Sequence, residues 1–150
     1  MKDCKGITLL ALVITVIVLL IIATISINYG AEVAQKANID SVKANMLLIE
    51  AKTKIYAEEY NFSNGTSTLI GQKVSESTEN LVVQYNTSTD GRYDSYYYVS
   101  PSNLVSMGLS ISKGHYLVNY DIDNIDVIYL EGINVNGIKY HTLAEIKGLE

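Results

Sequence analysis

The apolar stretch over residues 7–27, ITLLALVITVIVLLIIATISI, decides how this 150-residue chain is organised. It holds no charged residue, no glycine and no proline. At about 1.5 Å of rise per residue, a helix of this length spans roughly 31 Å, close to the hydrocarbon thickness of a bilayer. The stretch therefore predicts a membrane-spanning helix over residues 7–29.

Charge is distributed unevenly on the two sides of the apolar stretch. Lys2, Asp3 and Lys5 give the first six residues a net charge of +1, whereas the whole chain carries −5. Because basic residues favour the cytoplasmic side, we expect a single-pass protein with its C-terminus outside the cell. The acidic remainder argues against nucleic acid as a partner. Cys4 is the single cysteine, so an intramolecular disulfide is excluded.

The small residue of the N-terminal segment, Gly6, lies before the apolar stretch rather than after it. An ordinary secretory signal has a shorter apolar run, and its small-residue cleavage site follows that run. A cut after Gly6 would remove only MKDCKG and leave Ile7 as the first residue of an intact apolar helix. We therefore predict a cleavable leader over residues 1–6.

The leader boundary reads KGITLL over residues 5–10 and runs directly into the apolar stretch. This order resembles the class III leader of type IV prepilins and of type II secretion pseudopilins. The resemblance implies that prepilin peptidase cuts between Gly6 and Ile7 and methylates Ile7. It also implies a structural subunit that first lies in the membrane. An assembly platform then incorporates the subunit into an extracellular filament, together with copies of itself or other pilins. Residues 114–147 are similar to C-terminal regions of pilin-like proteins from low-GC Gram-positive bacteria.

The chain departs from the family pattern at the fifth residue after the expected cut. Most of the family carries a glutamate there, which is thought to neutralise the N-terminal amine of a neighbouring subunit, and this chain carries Ala11. A buried amine without a partner is costly, and only the hydroxyls of Thr8 and Thr15 lie nearby. Three explanations stay open: a branch that assembles without this ion pair, a minor or tip subunit, or an uncleaved single-pass anchor carrying a binding or adhesion domain.

Residues 30–60 predict an amphipathic continuation of the helix with two apolar stripes. The first stripe is expected to pack on a sheet, and comprises Ile39, Val42, Met46, Ile49, Thr53, Tyr56 and Tyr60. The Ala-rich stripe lies on nearly the opposite side, and comprises Val33, Ala37, Ala44, Leu48, Ala51 and Ile55. Because small residues allow helices to approach closely, we expect this stripe, with Thr8, Ala11 and Thr15, to pack in a filament core. A helix buried within one domain is the other interpretation.

The remaining residues, 61–150, predict an external α+β domain in which the long helix packs on a small antiparallel sheet of three or four strands. Residues 61–95 are rich in Asn, Ser and Thr and predict a loop, with a strand at 81–85 and glycosylation sequons beginning at Asn61, Asn64 and Asn86. Further strands are expected at 96–99, 115–120, 126–130, 133–135 and 138–140. A short helix should begin at Pro101, a hairpin at Asn136-Gly137, and a final capped turn at Thr142.

Patterns that carry catalysis or bind cofactors are nearly absent from the sequence. His115 and His141 fall in predicted strands and have no spacing typical of metal ligands. Asp121, Asp123 and Asp126 form a weak calcium candidate, for which a solvated turn is the alternative interpretation. We therefore expect neither enzymatic activity nor a cofactor.

Overall fold

The computed structural model describes residues 4–74 and 93–149, without the side chains of residues 4–8 and 28. The chain divides into two compact units, Met1–Asp40 and Ser41–Glu150. The strand expected at 81–85 and the sequon at Asn86 lie outside the described residues.

The first helix, α1, begins at Cys4 and ends at Phe62. No proline interrupts it, and good helix formers such as Ala, Lys, Glu, Leu and Met dominate from Ala31 onward. The chain leaves the helix through Asn64 and Gly65, which adopt left-handed φ angles of 52° and 79°. The Gly65 N–H donates to the Tyr60 carbonyl at 2.8 Å, which satisfies one of the carbonyls left open at a helix end.

Within the described residues, the second unit holds a five-stranded antiparallel sheet in the order β1-β2-β3-β4-β5. The strands are β1 (Gln72–Lys73), β2 (Tyr96–Val99), β3 (Tyr116–Asn119), β4 (Asp126–Val135) and β5 (Ile138–Thr142). The α+β class is confirmed, but the expected count of three or four strands is too low. Strand β1 was missed because a two-residue strand contains no alternation to detect.

The strands expected at 126–130 and 133–135 are one strand, β4, with a register shift between Ile128 and Ile133. Gly132 lies in this shift with a φ of 70°. A Cβ at this position would lie 2.7 Å from Cε1 of His141, so only glycine fits without displacing the ring. This irregularity is what made one strand resemble two in the sequence.

In the second unit, buried side chains lie on both faces of the sheet. All four residues of β3 are buried, as a central strand covered on both sides requires. Helix α1 contributes the buried side chains Met46 and Ile49, consistent with its packing against the sheet. A separate buried cluster of Leu117, Ile128 and Leu130 is packed against the partly buried side chains of Val74, Tyr93, Tyr96 and Tyr98.

Two short helices begin at the N-caps expected from the sequence. Helix α2 (Pro101–Ser106) begins with Ser100, whose hydroxyl accepts from the Asn103 N–H. Helix α3 (Leu143–Lys147) begins with Thr142, whose hydroxyl accepts from the Glu145 N–H at 3.3 Å. In return, Oε2 of Glu145 accepts from the backbone N–H groups of Thr142 and His141, both at 3.0 Å. Each helix start is therefore fixed by reciprocal hydrogen bonds.

We expect Glu145→Ala to lower the free energy of unfolding by about 1 kcal/mol near neutral pH, as loss of a capping interaction typically does. The Thr142 and His141 N–H groups hold the pKa of the Glu145 carboxyl below its usual range. Its contribution is therefore present above the usual pKa and is lost as pH falls through the lowered folded value. Urea unfolding of the full chain in detergent micelles checks this, and a wild-type advantage that is unchanged in strong acid would contradict it.

Candidate assembly surface

The apolar part of α1 exposes its large side chains. Leu9, Leu19 and Ile27 retain 67%, 65% and 71% of their accessible surface. Among the described residues, α1 is the one helix long and apolar enough to cross a membrane by length and composition, a test that signal sequences near the N-terminus also pass. A core helix of a soluble protein would be mostly buried, and the apolar window of α1 has no buried residue.

Hydroxyl groups within the apolar part of α1 bond to their own helix. Thr15 donates to the Leu12 carbonyl at 2.8 Å, and Thr24 donates to the Leu20 carbonyl at 2.8 Å. Ser26 does the same with the Ile22 carbonyl, at 2.9 Å. These three donors are satisfied without water, as an apolar environment requires. The oxygen of Thr15 still has a lone pair with which to accept a hydrogen bond.

The residues of the expected cleavage site lie at the start of α1. Gly6 and Ile7 are helical, and so is Thr8. The side chains of Ile7 and Thr8 lie outside the described part of the chain, and cleavage and methylation stay predictions. Ala11, which stands where the family carries a glutamate, is exposed.

The two stripes of α1 differ sharply in burial within the second unit. The first stripe places Val42, Met46, Ile49 and Thr53 in buried positions, with Tyr56 intermediate and Tyr60 36% exposed. The Ala-rich stripe has every member exposed there, namely Ala44, Leu48, Ala51 and Ile55. Leu48 and Ile55 keep 52% and 54% of their surface. An apolar stripe that remains open beside a completed core is a candidate contact surface.

In the first unit, α1 presents further members of the same two stripes. Val33 is 64% exposed and Ala37 is exposed, whereas Ile39 is intermediate. In the second unit, Ala57 is 1% exposed and extends the first stripe four residues beyond Thr53, a position that was not predicted. Its spacing was a usable signal, but alanine is common on both stripes and does not distinguish them. Phe62, 94% exposed, was also missed because it lies beyond the periodic region.

Both histidines lie in hydrogen-bonded structural positions. Nδ1 of His115 lies 2.6 Å from Oε1 of Glu131, and the His115 ring stacks on Tyr98 with centroids 5.8 Å apart. Nδ1 of His141 lies 2.8 Å from the Tyr129 carbonyl. These partners are distant in sequence, so no local pattern could have indicated them.

Two carboxylates of the weak calcium candidate accept hydrogen bonds from neighbouring donors. Asp126 accepts from the Tyr96 hydroxyl at 2.8 Å and from the Val127 N–H at 2.9 Å. Asp121 accepts from the Asp123 N–H at 3.2 Å, as in a solvated turn. Across residues 4–74 and 93–149, no three His, Cys, Asp or Glu side chains are grouped so that they could hold a metal ion. The structure thus lends the calcium candidate no support.

Comparisons with known proteins identify no relative of this chain. No protein-family model, no curated protein and no solved structure matches the chain. The resemblance to pilins therefore rests on residues 5–10, the apolar run that follows them and the C-terminal stretch. What that resemblance implies stays a prediction, to be weighed with the exposed run and the two stripes of α1.

Proposed function

We propose that this protein is a structural subunit of a type IV pilus or pseudopilus-like filament. Prepilin peptidase removes residues 1–6 and methylates Ile7, and an assembly platform then moves the apolar part of α1 from the membrane into a filament core. The observation that carries the proposal is the leader boundary, in which a Lys-Gly pair directly precedes an uninterrupted apolar helix. The same apolar residues then serve first in lipid and later against neighbouring helices.

The two stripes of α1 support this role from an independent direction. A subunit that joins a helical bundle needs one side of its helix for its own domain and another for its neighbours. In the second unit, Met46 and Ile49 have no exposed surface, whereas Leu48 and Ile55 are more than half exposed. The alanines of the same stripe, Ala44 and Ala51, would let a second helix approach closely.

Ala11 sets the main chemical problem for this assembly. A methylated amine at Ile7 keeps its positive charge and needs a partner once it leaves water. Without a glutamate at position 11, the hydroxyl oxygen of Thr15 can act as a hydrogen-bond acceptor in this part of α1. The hydroxyl proton of Thr15 already donates to the Leu12 carbonyl. A hydroxyl supplies no negative charge, so such a filament would be held chiefly by apolar packing and small-residue contacts.

The same substitution favours a second candidate function. In this alternative, the leader is never cut, and the chain is a single-pass membrane anchor that displays a binding or adhesion domain. No buried amine then arises, so Ala11 carries no penalty. The exposed Ala-rich stripe would in that case remain unpaired or contact a different membrane protein.

Mass spectrometry of the protein purified from cells that carry a prepilin peptidase separates the two functions. We expect a mature chain that begins at methylated Ile7. Gly6→Val should block the cut and leave Met1 in place, because the peptidase site implied by the resemblance ends in a small residue. Lys139→Ala, an exposed substitution in β5, is the matched control and should leave processing unchanged. An intact leader on the wild-type chain would contradict the filament proposal and favour the anchor.

A further inference from the structure

A cleft of about 420 Å³ opens on the second unit, in a part of the molecule that the proposed assembly does not use. Its walls come from the end of α1, from β1 and β2, and from the turn that follows β3. Six side chains give the cleft its chemistry: Tyr60, Tyr97, Tyr120, Lys73, Asp121 and Asp123. The volume lies within the usual range of small-molecule sites.

The floor of the cleft is held in place by internal contacts. The Tyr120 hydroxyl donates to the Ile70 carbonyl at 2.7 Å, and burial raises the pKa of Tyr120 above its usual value. The Tyr97 and Tyr120 rings meet edge to face, with centroids 5.1 Å apart. Because these contacts fix the positions of both rings, the aromatic surface of the cleft is preformed. Binding of a ligand therefore carries little entropic cost for ordering these side chains.

The rim is fixed by hydrogen bonds of the turn after β3. Oδ1 of Asn119 accepts from the Asp121 N–H at 3.1 Å, and Oδ1 of Asp121 accepts from the Asp123 N–H at 3.2 Å. Asp121 and Asp123 are exposed, so their carboxylates can reach a ligand from the solvent side. Lys73, also exposed, adds a donor from the strand that forms the opposite wall.

The mixture of groups discriminates between ligand classes. An anion such as a phosphate would be repelled by two carboxylates, and Lys73 would offset part of their attraction for an organic cation. A neutral molecule with many hydroxyl groups fits both signs, because each hydroxyl can donate to a carboxylate and accept from an ammonium group. Tyrosine rings provide the apolar surface against which the C–H face of such a molecule can lie.

We propose that this cleft binds a carbohydrate. The sugar lies on the tyrosine surface, its hydroxyls donate to Asp121 and Asp123, and Lys73 donates to a sugar oxygen. Binding at this site does not depend on filament assembly and would also suit a membrane-anchored monomer. It would give the protein a role in surface recognition in addition to a structural one.

Saturation-transfer difference NMR tests this proposal on the full chain in micelles of lauryldimethylamine oxide, a detergent without a sugar headgroup. The probes are glucose, galactose, mannose and N-acetylglucosamine, each at up to roughly 50 mM because single sugars bind weakly. We expect saturation to reach the ring protons of at least one sugar. The double variant Asp121→Asn/Asp123→Asn keeps the shape of the turn but removes both charges, and should weaken binding about tenfold.

Two further variants control the interpretation. Glu58→Gln/Glu59→Gln removes the same number of charges from exposed positions that do not line the cleft, and should leave affinity unchanged. Lys73→Met removes the donor on the other wall and should weaken binding about fivefold. No transfer to any of the four sugars, or an equal loss of affinity in both double variants, overturns the proposal.

Discussion

Leu48→Asp is expected to abolish filament assembly while the second unit stays folded. Leu48 lies on the Ala-rich stripe with 52% of its surface open, so an aspartate there is solvated in the isolated chain. In a filament, the same carboxylate would be buried against a neighbouring helix, at a penalty of several kcal/mol per contact. Because every subunit repeats the contact, electron microscopy of material sheared from cells should reveal no filaments.

Asn45→Asp is the matched control for this substitution. It adds the same single charge to α1 but on the edge between the two stripes, so filaments should still form. Both variants should retain the near-ultraviolet circular dichroism of the wild-type domain. Leu48→Asp should lower the free energy of unfolding by less than about 1 kcal/mol, the difference in helix propensity. Abundant filaments of the Leu48→Asp protein would remove the Ala-rich stripe from the assembly surface.

Met46→Ala should have the opposite effect, with a large loss of stability and no direct effect on the assembly surface. Met46 has no exposed surface in the second unit, and truncation of a buried methionine costs about 2–5 kcal/mol. For a domain of this size, that corresponds to a fall in the melting temperature of roughly 10–25 °C. Thermal melting of the full chain in detergent micelles, followed by near-ultraviolet circular dichroism, measures the effect.

Leu48→Ala provides the comparison for Met46→Ala on the same helix. It removes a side chain of similar size from the exposed stripe, and should change the free energy of unfolding by less than about 0.5 kcal/mol. Equal melting temperatures of the two alanine variants would mean that α1 does not have one buried and one open stripe. Together with Leu48→Asp, the pair separates residues that stabilise the domain from residues that are available to a partner.

The parts of the fold that depend on local pattern were predictable from the sequence. The bounds of β2 follow from its run of aromatic and β-branched residues, and the hairpin at Asn136-Gly137 follows from turn chemistry. Both are present. The caps at Ser100 and Thr142 follow from residue types at fixed spacing, and both form reciprocal hydrogen bonds. Each of these signals acts over a few residues, where the sequence order is also the spatial order.

Features that depend on distant partners could not be predicted in this way. The pairing of β1 with β2 joins Gln72 to Tyr98, and no local signal at either position indicates the other. The hydrogen bond from Tyr120 to Ile70 spans 50 positions, so the cleft that Tyr120 lines was not predictable from local pattern. The Ala-rich stripe was predictable as a pattern, but its exposure depended on which side the sheet would occupy.

The two backbone hydrogen bonds that Glu145 accepts also bear on the resistance of this chain to aggregation. Strand β5 is the last in the sheet, so one side of its backbone faces no further strand among the described residues. A bare edge of this kind invites another polypeptide to add to it and begin cross-β aggregation. The Glu145 carboxylate accepts from the N–H groups of His141 and Thr142 at one end of β5, and Lys139 places a charge near the other end. Such protection matters most where many copies of a chain lie close together.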